Sequence, residues 1–154
     1  QLLNMACDDD KTAWEALSLG YPSHNTGSPA LLRAVADLYP GTKLDSMRDV
    51  TACVPQEGIF VSVNAILEAN PGHVVVQTPC YQSLVEVAKT QASSLSLWAP
   101  RDNCGAGSLI FDVDDLEALI KPTTTLIILN LPHNPTGTSL ERQDFLRVVA
   151  LAAK

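Results

Sequence analysis

The densest group of chemically capable side chains in this sequence is Asn130-Leu131-Pro132-His133-Asn134-Pro135-Thr136-Gly137. It places two carboxamides, an imidazole and two prolines between a strongly apolar run and a helical pattern. Carboxamides donate and accept hydrogen bonds without changing charge, and imidazole titrates near neutrality. The same residue types also serve a strand-to-helix turn for purely local reasons, asparagine through an Asx turn and glycine through its conformational freedom. Two other turns end on useful groups. Thr78-Pro79-Cys80-Tyr81 closes an apolar strand pattern with an aromatic ring, and Val54-Pro55-Gln56-Glu57 opens a helical one. A helix N-terminus offers unpaired N–H groups and a favourable dipole to an anion, so the amides of Gln56 and Glu57 are candidates. Pro55 has no N–H to offer, and an inward-pointing Glu57 carboxylate would repel an anion. His133 is read as a satisfied turn residue with no chemical role.

These turns need elements to hold them. Ser28-Pro29 followed by Leu31, Leu32, Val35 and Leu38 predicts a capped helix ending near Pro40-Gly41. Asp49 to Val54 reads as a short strand. Ile59, Phe60, Val63, Ile66 and Leu67 predict a helix from Gln56 to Ala69, stopped by Asn70-Pro71-Gly72. Downstream, the patterns predict a strand over His73–Thr78, a helix over Tyr81–Gln91, a strand over Ser94–Trp98 and a polar loop from Arg101 to Gly107. Ile110-Phe111 opens the next segment, in which Asp112 caps a helix reaching Ile120. The most apolar strand, Thr124–Leu129, then leads through the Asn-Pro-rich string to a helix that Thr138 and Glu141 start as a capping box, carrying Phe145, Leu146, Val149 and Ala150. Strands alternating with helices, the strands apolar on both faces, predict a three-layer α/β/α domain around a mainly parallel sheet. In such sheets ligands bind at the carboxyl ends of the strands, where the three turns above would lie.

Composition narrows the partners. The chain has 154 residues, 46% hydrophobic and 18% charged, which is enough for one core of ordinary size. Seventeen acidic against ten basic residues give a net charge of -7, the wrong field for nucleic acid or an anionic membrane. The apolar runs are strand-sized, far below the ~20 residues of a membrane span. Gln1 to Asp10 shows no signal-peptide pattern, and the absent initiator Met suggests that the true N-terminus lies elsewhere. Cys7, Cys53, Cys80 and Cys104 lack disulfide or metal spacing and read as free thiols, which with the rest predicts the cytoplasm. No metal site is expected.

The string Asn130 to Gly137 resembles the Asn-Pro-Thr-Gly signature of the class I/II aminotransferases, fold type I enzymes that use pyridoxal 5'-phosphate. Further resemblances precede it in the family's order: Leu19-Gly20-Tyr21 through Gly27 to Leu32-Arg33, then Val54-Pro55-Gln56-Glu57-Gly58, then Pro71-Gly72-His73-Val74-Val75-Val76 with Pro79-Cys80-Tyr81. Together they span roughly Ser18 to Lys154, and the Pro-Gln-Glu-Gly-Ile form is similar to the capreomycidine-synthase-like branch. The resemblance implies a partial large domain over 28–154, preceded by an N-terminal segment, 1–27.

The resemblance also implies roles. Asn134 would donate its amide hydrogen to the cofactor's phenolic oxygen, and Tyr81 would stack on its pyridine ring. Pro55, Gln56 and Glu57 occupy the phosphate turn, with Val54 where the family usually has a glycine. Tyr21 corresponds to a tyrosine that in many members reaches the neighbouring subunit's phosphate, so a homodimer is implied. Cis bonds are implied at Thr78-Pro79 and Asn134-Pro135. The family's Schiff-base lysine lies well downstream of the Asn-Pro-Thr-Gly motif, whereas Lys11, Lys43, Lys89 and Lys121 precede that motif and Lys154 ends the helix after it. No catalytic residue is therefore expected in this chain, which reads as a large domain truncated before that lysine and inactive alone. The expected function is part of a pyridoxal-phosphate-dependent aminotransferase, moving an amino group between an amino acid and a 2-oxo acid. A lyase or cyclase of the same fold, a truncated paralogue serving as a binding or dimerisation module, and an unrelated α/β binding module stay open as alternatives.

Overall fold

The computed structural model describes residues 12, 20, 25–101 and 109–154. The chain forms two compact units, Gln1–Val54 and Pro55–Lys154. In the first, the Ser28-Pro29 signal produces helix α1, Pro29–Ala36. Ser28 is extended and its hydroxyl accepts the Leu31 N–H at 3.3 Å, while Pro29 fills a first-turn position that needs no N–H. The run Asp49–Val54, expected as a strand, forms none. A strand exists only with a ladder partner, and here Ala52 N–H is spent on the Thr26 carbonyl, 2.7 Å away in a loop.

The second unit holds α2 (Pro55–Ala69), β1 (His73–Gln77), α3 (Gln82–Gln91), β2 (Ser94–Trp98), α4 (Val113–Leu119), β3 (Thr124–Ile128) and α5 (Arg142–Ala152). The strands form one parallel sheet in the order β2-β1-β3. All five residues of β1 are buried, as the central strand of a covered parallel sheet requires. Val74 and Val76 face one side, where Val63 and Leu67 of α2 and Ala88 of α3 cover them. Val75 faces the other, against Trp98, Phe111, Val113 and Leu116 and Val148 of α5. The three-layer α/β/α fold is thus present. Gly72 admits β1 to the sheet by close approach, because a Cβ there would lie 2.6 Å from the Thr123 carbonyl and collide with the Thr125 hydroxyl.

Of the two capping signals downstream, one forms as expected and one does not. Asp112 does cap α4, its carboxylate accepting the Asp114 N–H at 2.8 Å, and its carbonyl accepts from Trp98 Nε1 at 2.9 Å. The Thr138–Glu141 capping box does not form: α5 begins at Arg142 after Glu141, with no side-chain cap. Thr138 is held three residues too early, its hydroxyl bonded to that of Thr136 and its carbonyl to the His133 N–H. On α5 it is Val148 that is buried, while Phe145, Leu146 and Val149 are about half exposed. Among the described residues no helix is long and apolar enough to cross a membrane.

Candidate functional site

The crossovers define where a ligand has room. From β1 the chain turns onto the α3 face and reaches β2 on one flank; from β3 it turns onto the opposite face, where α5 lies. The loops leaving β1 and β3 therefore diverge, and a crevice opens between them at the carboxyl edge of the sheet. Its two lips are the turns Thr78–Tyr81 and Asn130–Gly137. Both cis bonds implied for these turns are present, at Thr78-Pro79 and Asn134-Pro135, together with a third at Leu131-Pro132.

A third segment reaches the same edge. α2 covers β1 and is joined to its start by 70–72 alone, so it runs back along the strand. Its 15 residues span about 22 Å, more than the roughly 17 Å of a five-residue strand, which carries Pro55, Gln56 and Glu57 to the carboxyl edge. All three are exposed. Pro55 at the helix start supplies no N–H, whereas Gln56 and Glu57 lie in the first turn, where N–H groups have no intrahelical acceptor.

Tyr81 stands at the N-cap of α3 without capping it by its side chain. Its carbonyl is used, accepting the Leu84 N–H at 3.0 Å, and its ring is 52% exposed. On the other lip, His133 braces the turn from within. Its N–H donates to the Thr138 carbonyl at 2.7 Å, its carbonyl accepts the Gly137 N–H at 2.7 Å, and Nδ1 meets the Thr136 hydroxyl at 2.7 Å. Gly137 takes φ of 71°, a left-handed conformation that closes this turn and that glycine adopts at no steric cost. The buried histidine is thus the structural brace expected of it. Asn134 is exposed, and its side chain makes no hydrogen bond with the described residues.

One residue of this site has no counterpart in the sequence reading. Gln77 ends β1, is fully buried, and accepts the Asn130 N–H on Oε1 at 3.0 Å across the floor of the crevice. Gln77 Nε2 and Asn130 Nδ2 are both buried without a partner. The available signal was a carboxamide interrupting the apolar run Val74–Val76. Tyr21 lies outside the described residues, as do Cys7 and Cys104. Cys53 and Cys80 carry free thiols, and burial pushes that of Cys80 up, away from thiolate. A groove of about 470 Å³ lined by Lys121, Thr124, Leu126, Leu151 and Lys154 lies at the opposite, amino end of β3.

The fit to pyridoxal 5'-phosphate follows from these placements. An unpartnered amide donor, an exposed aromatic ring and a helix N-terminus lie at one sheet edge, and their chemistry suits a ring oxygen, a planar heterocycle and a phosphate. Among the described residues of the second unit, no lysine joins the set. Lys121 and Lys154 line the groove at the amino end, and Lys89 lies in the last turn of α3.

Comparison with known proteins bears on the same segments. The model of the family described as aminotransferase class I and II matches residues 19–154. Capreomycidine synthase of Streptomyces vinaceus is 39% identical over 80 residues, which are 50% of this chain and 20% of that protein. Kynurenine–oxoglutarate transaminase 3 of Mus musculus is 30% identical over 139 residues, 83% of this chain and 30% of the relative. Among solved structures, N-succinyldiaminopimelate aminotransferase from Mycobacterium tuberculosis superposes with a TM-score of 0.77 at 25% identity, over 92% of this chain and 37% of that one. The PLP-dependent cyclase OrfR superposes with a TM-score of 0.72 at 29% identity, over 98% and 37%. The chain thus spans between a fifth and two fifths of the length of these proteins.

Proposed function

Because this chain belongs to the class I and II aminotransferase family, whose cofactor is pyridoxal 5'-phosphate, we propose that it supplies the cofactor-holding part of an enzyme that transfers an amino group between an amino acid and a 2-oxo acid. The observation that carries the reading is that Asn134 and Tyr81 stand on the turns after β3 and β1 at one edge of the sheet, each exposed and with its side chain unused by the described fold. When bound, the cofactor supplies an electron sink for bonds at the amino acid's α-carbon. The protein's part is to hold and polarise it. Asn134 donates an amide hydrogen to the ring oxygen, which favours the anionic form of that oxygen. Tyr81 presents its face to the ring and limits its tilt. The N–H groups of Gln56 and Glu57 receive the phosphate, with Pro55 setting the direction of the helix start and the Glu57 carboxylate turned to solvent. The same reading includes a homodimer in which Tyr21 reaches the partner's phosphate, a cytoplasmic location, and N-terminal and large-domain segments over 1–27 and 28–154.

A cyclase is the second reading, favoured by the 39% identity to capreomycidine synthase and the superposition on a PLP-dependent cyclase. One set of measurements separates the two. The protein expressed from its complete gene is titrated with pyridoxamine 5'-phosphate, which needs no lysine to bind; a separate sample loaded with pyridoxal 5'-phosphate is supplied with amino acids with and without 2-oxoglutarate. Saturable binding and conversion of 2-oxoglutarate to glutamate support the aminotransferase; a cyclised amino acid formed without a 2-oxo acid supports the cyclase. Absence of pyridoxamine 5'-phosphate binding would sink both and leave a scaffold or dimerisation module.

A further inference from the structure

We infer that Gln77 is a positioning residue for the Asn134 amide, acting through Asn130; this rests on the cofactor reading above. Burying a carboxamide in an otherwise valine-rich strand is unfavourable unless its polar atoms are used. Of those of Gln77, the oxygen is used and the nitrogen is not, so the residue acts here as an acceptor. The donor it serves, the Asn130 N–H, lies just past β3, where the ladder has ended and offers no acceptor. Gln77 Oε1 takes that place and ties the first residue of the turn to the central strand, 53 positions away in sequence.

The rest of the turn transmits that tie. His133, Thr136, Gly137 and Thr138 bond among themselves, so residues 133–138 are braced as one hydrogen-bonded turn. The Asn134 side chain has no bond of its own, and its position follows from the backbone of that turn. The height and angle at which its amide enters the crevice are therefore set by two attachments, the start of α5 behind and the Gln77–Asn130 bond in front. Loss of the front attachment leaves the turn intact but free to tilt, which misplaces Asn134 without unfolding anything.

The test uses the protein expressed from its complete gene and three variants, Gln77→Met, Gln77→Glu and Asn134→Ala. Methionine keeps the length and removes the acceptor; glutamate keeps the acceptor oxygen, replaces the unused nitrogen and adds an ionisable group. Bound pyridoxamine 5'-phosphate reports through the pH midpoint of its ring absorption, which reads the ring oxygen and is indifferent to thermal stability. The unliganded protein reports through hydrogen exchange at the Asn130 amide. Gln77→Met is expected to speed that exchange and to move the midpoint in the same direction as Asn134→Ala by about half a unit to one unit. Gln77→Glu is expected to restore the slow exchange, and Gln77→Met combined with Asn134→Ala to shift the midpoint no further than Asn134→Ala alone.

A midpoint that moves in Asn134→Ala but not in Gln77→Met overturns the role of Gln77 and leaves the cofactor reading intact. A midpoint unmoved by Asn134→Ala overturns both. Should Gln77→Glu not fold, additivity of Gln77→Met with Asn134→Ala decides against the inference, and non-additivity for it.

Discussion

The two ends of β1 carry similar residues and treat them in opposite ways. His73 and Gln77 are both fully buried and polar, and both lie on the Val75 face of the sheet. At the amino end, both ring nitrogens of His73 are occupied, Nδ1 by the Thr124 hydroxyl at 2.8 Å and Nε2 by the Ser96 hydroxyl at 2.9 Å. One residue thereby bonds all three strands and leaves nothing over. At the carboxyl end, Gln77 makes one bond, and two buried NH₂ groups there have no partner. Close by, the Asn134 amide is exposed and unpartnered, and the Tyr81 ring is half exposed. A polar group satisfied on every side serves the fold, whereas groups the fold leaves unpaired are open to water or to a ligand. In this sheet, the amino end holds the strands together and the carboxyl end is kept available.

Four experiments sharpen or break that division. Asn134→Ala is expected to have the largest effect, weakening pyridoxamine 5'-phosphate binding roughly ten- to hundredfold, as loss of a charged-acceptor hydrogen bond of about 1.5–3 kcal/mol implies. Its melting temperature should not change, because the side chain bonds nothing in the fold; an equal loss of stability would make Asn134 a turn residue. Gly72→Ala is the converse case at the amino end. The added methyl has no room beside Thr123 and Thr125, so denaturant unfolding should show a loss of about 1–3 kcal/mol while cofactor affinity per folded molecule stays constant.

His73 supplies a pH test of the same end. Burial, and secondarily the positive charge of Lys121, hold its pKa below the ordinary value of about 6.5. The native state favours the neutral ring, so its contribution is complete above that ordinary value. It is lost as pH falls from there toward the folded pKa, with a slope of at most about 1.4 kcal/mol per pH unit. His73→Gln should remove this component from the stability profile measured between about pH 7 and 5 and leave the cofactor site untouched. Identical profiles for the two proteins would show that the His73 bonds do not discriminate its charge states. Tyr81 gives the smallest effects. Tyr81→Ala should loosen cofactor binding about two- to tenfold, the range of a ring-stacking contact, and Tyr81→Phe should be silent because the hydroxyl has no partner in the fold. Weakening by Tyr81→Phe as large as by Tyr81→Ala would move the interaction from the ring face to the hydroxyl.

Local chemistry made much of this molecule legible in one dimension. Ser28-Pro29, Asn70-Pro71-Gly72 and Asp112 act within a few residues of themselves, so α1, the end of α2 and the start of α4 follow from the sequence alone, as do apolar runs of strand length. The three turns of the crevice were legible for a related reason, since a parallel sheet assigns its strand-to-helix turns to one edge before any side chain is placed. Other features depend on what comes to lie beside a segment. Asp49–Val54 has the composition of a strand but no ladder partner. Thr138 has the spacing of a cap but bonds Thr136. Spacing marks Phe145, Leu146 and Val149 as the apolar stripe of α5, yet the packing of that helix on the sheet buries Val148 instead. Gln77 and Asn130 meet across 53 positions, and His73 joins two other strands. No local pattern encodes such pairs, because their hydrogen bonds are made only when strand order and register bring distant residues within 3 Å of each other. That is why the sequence by itself determined the elements and the edge where a ligand belongs, and why tertiary structure alone decided which buried polar groups were satisfied and which were left open.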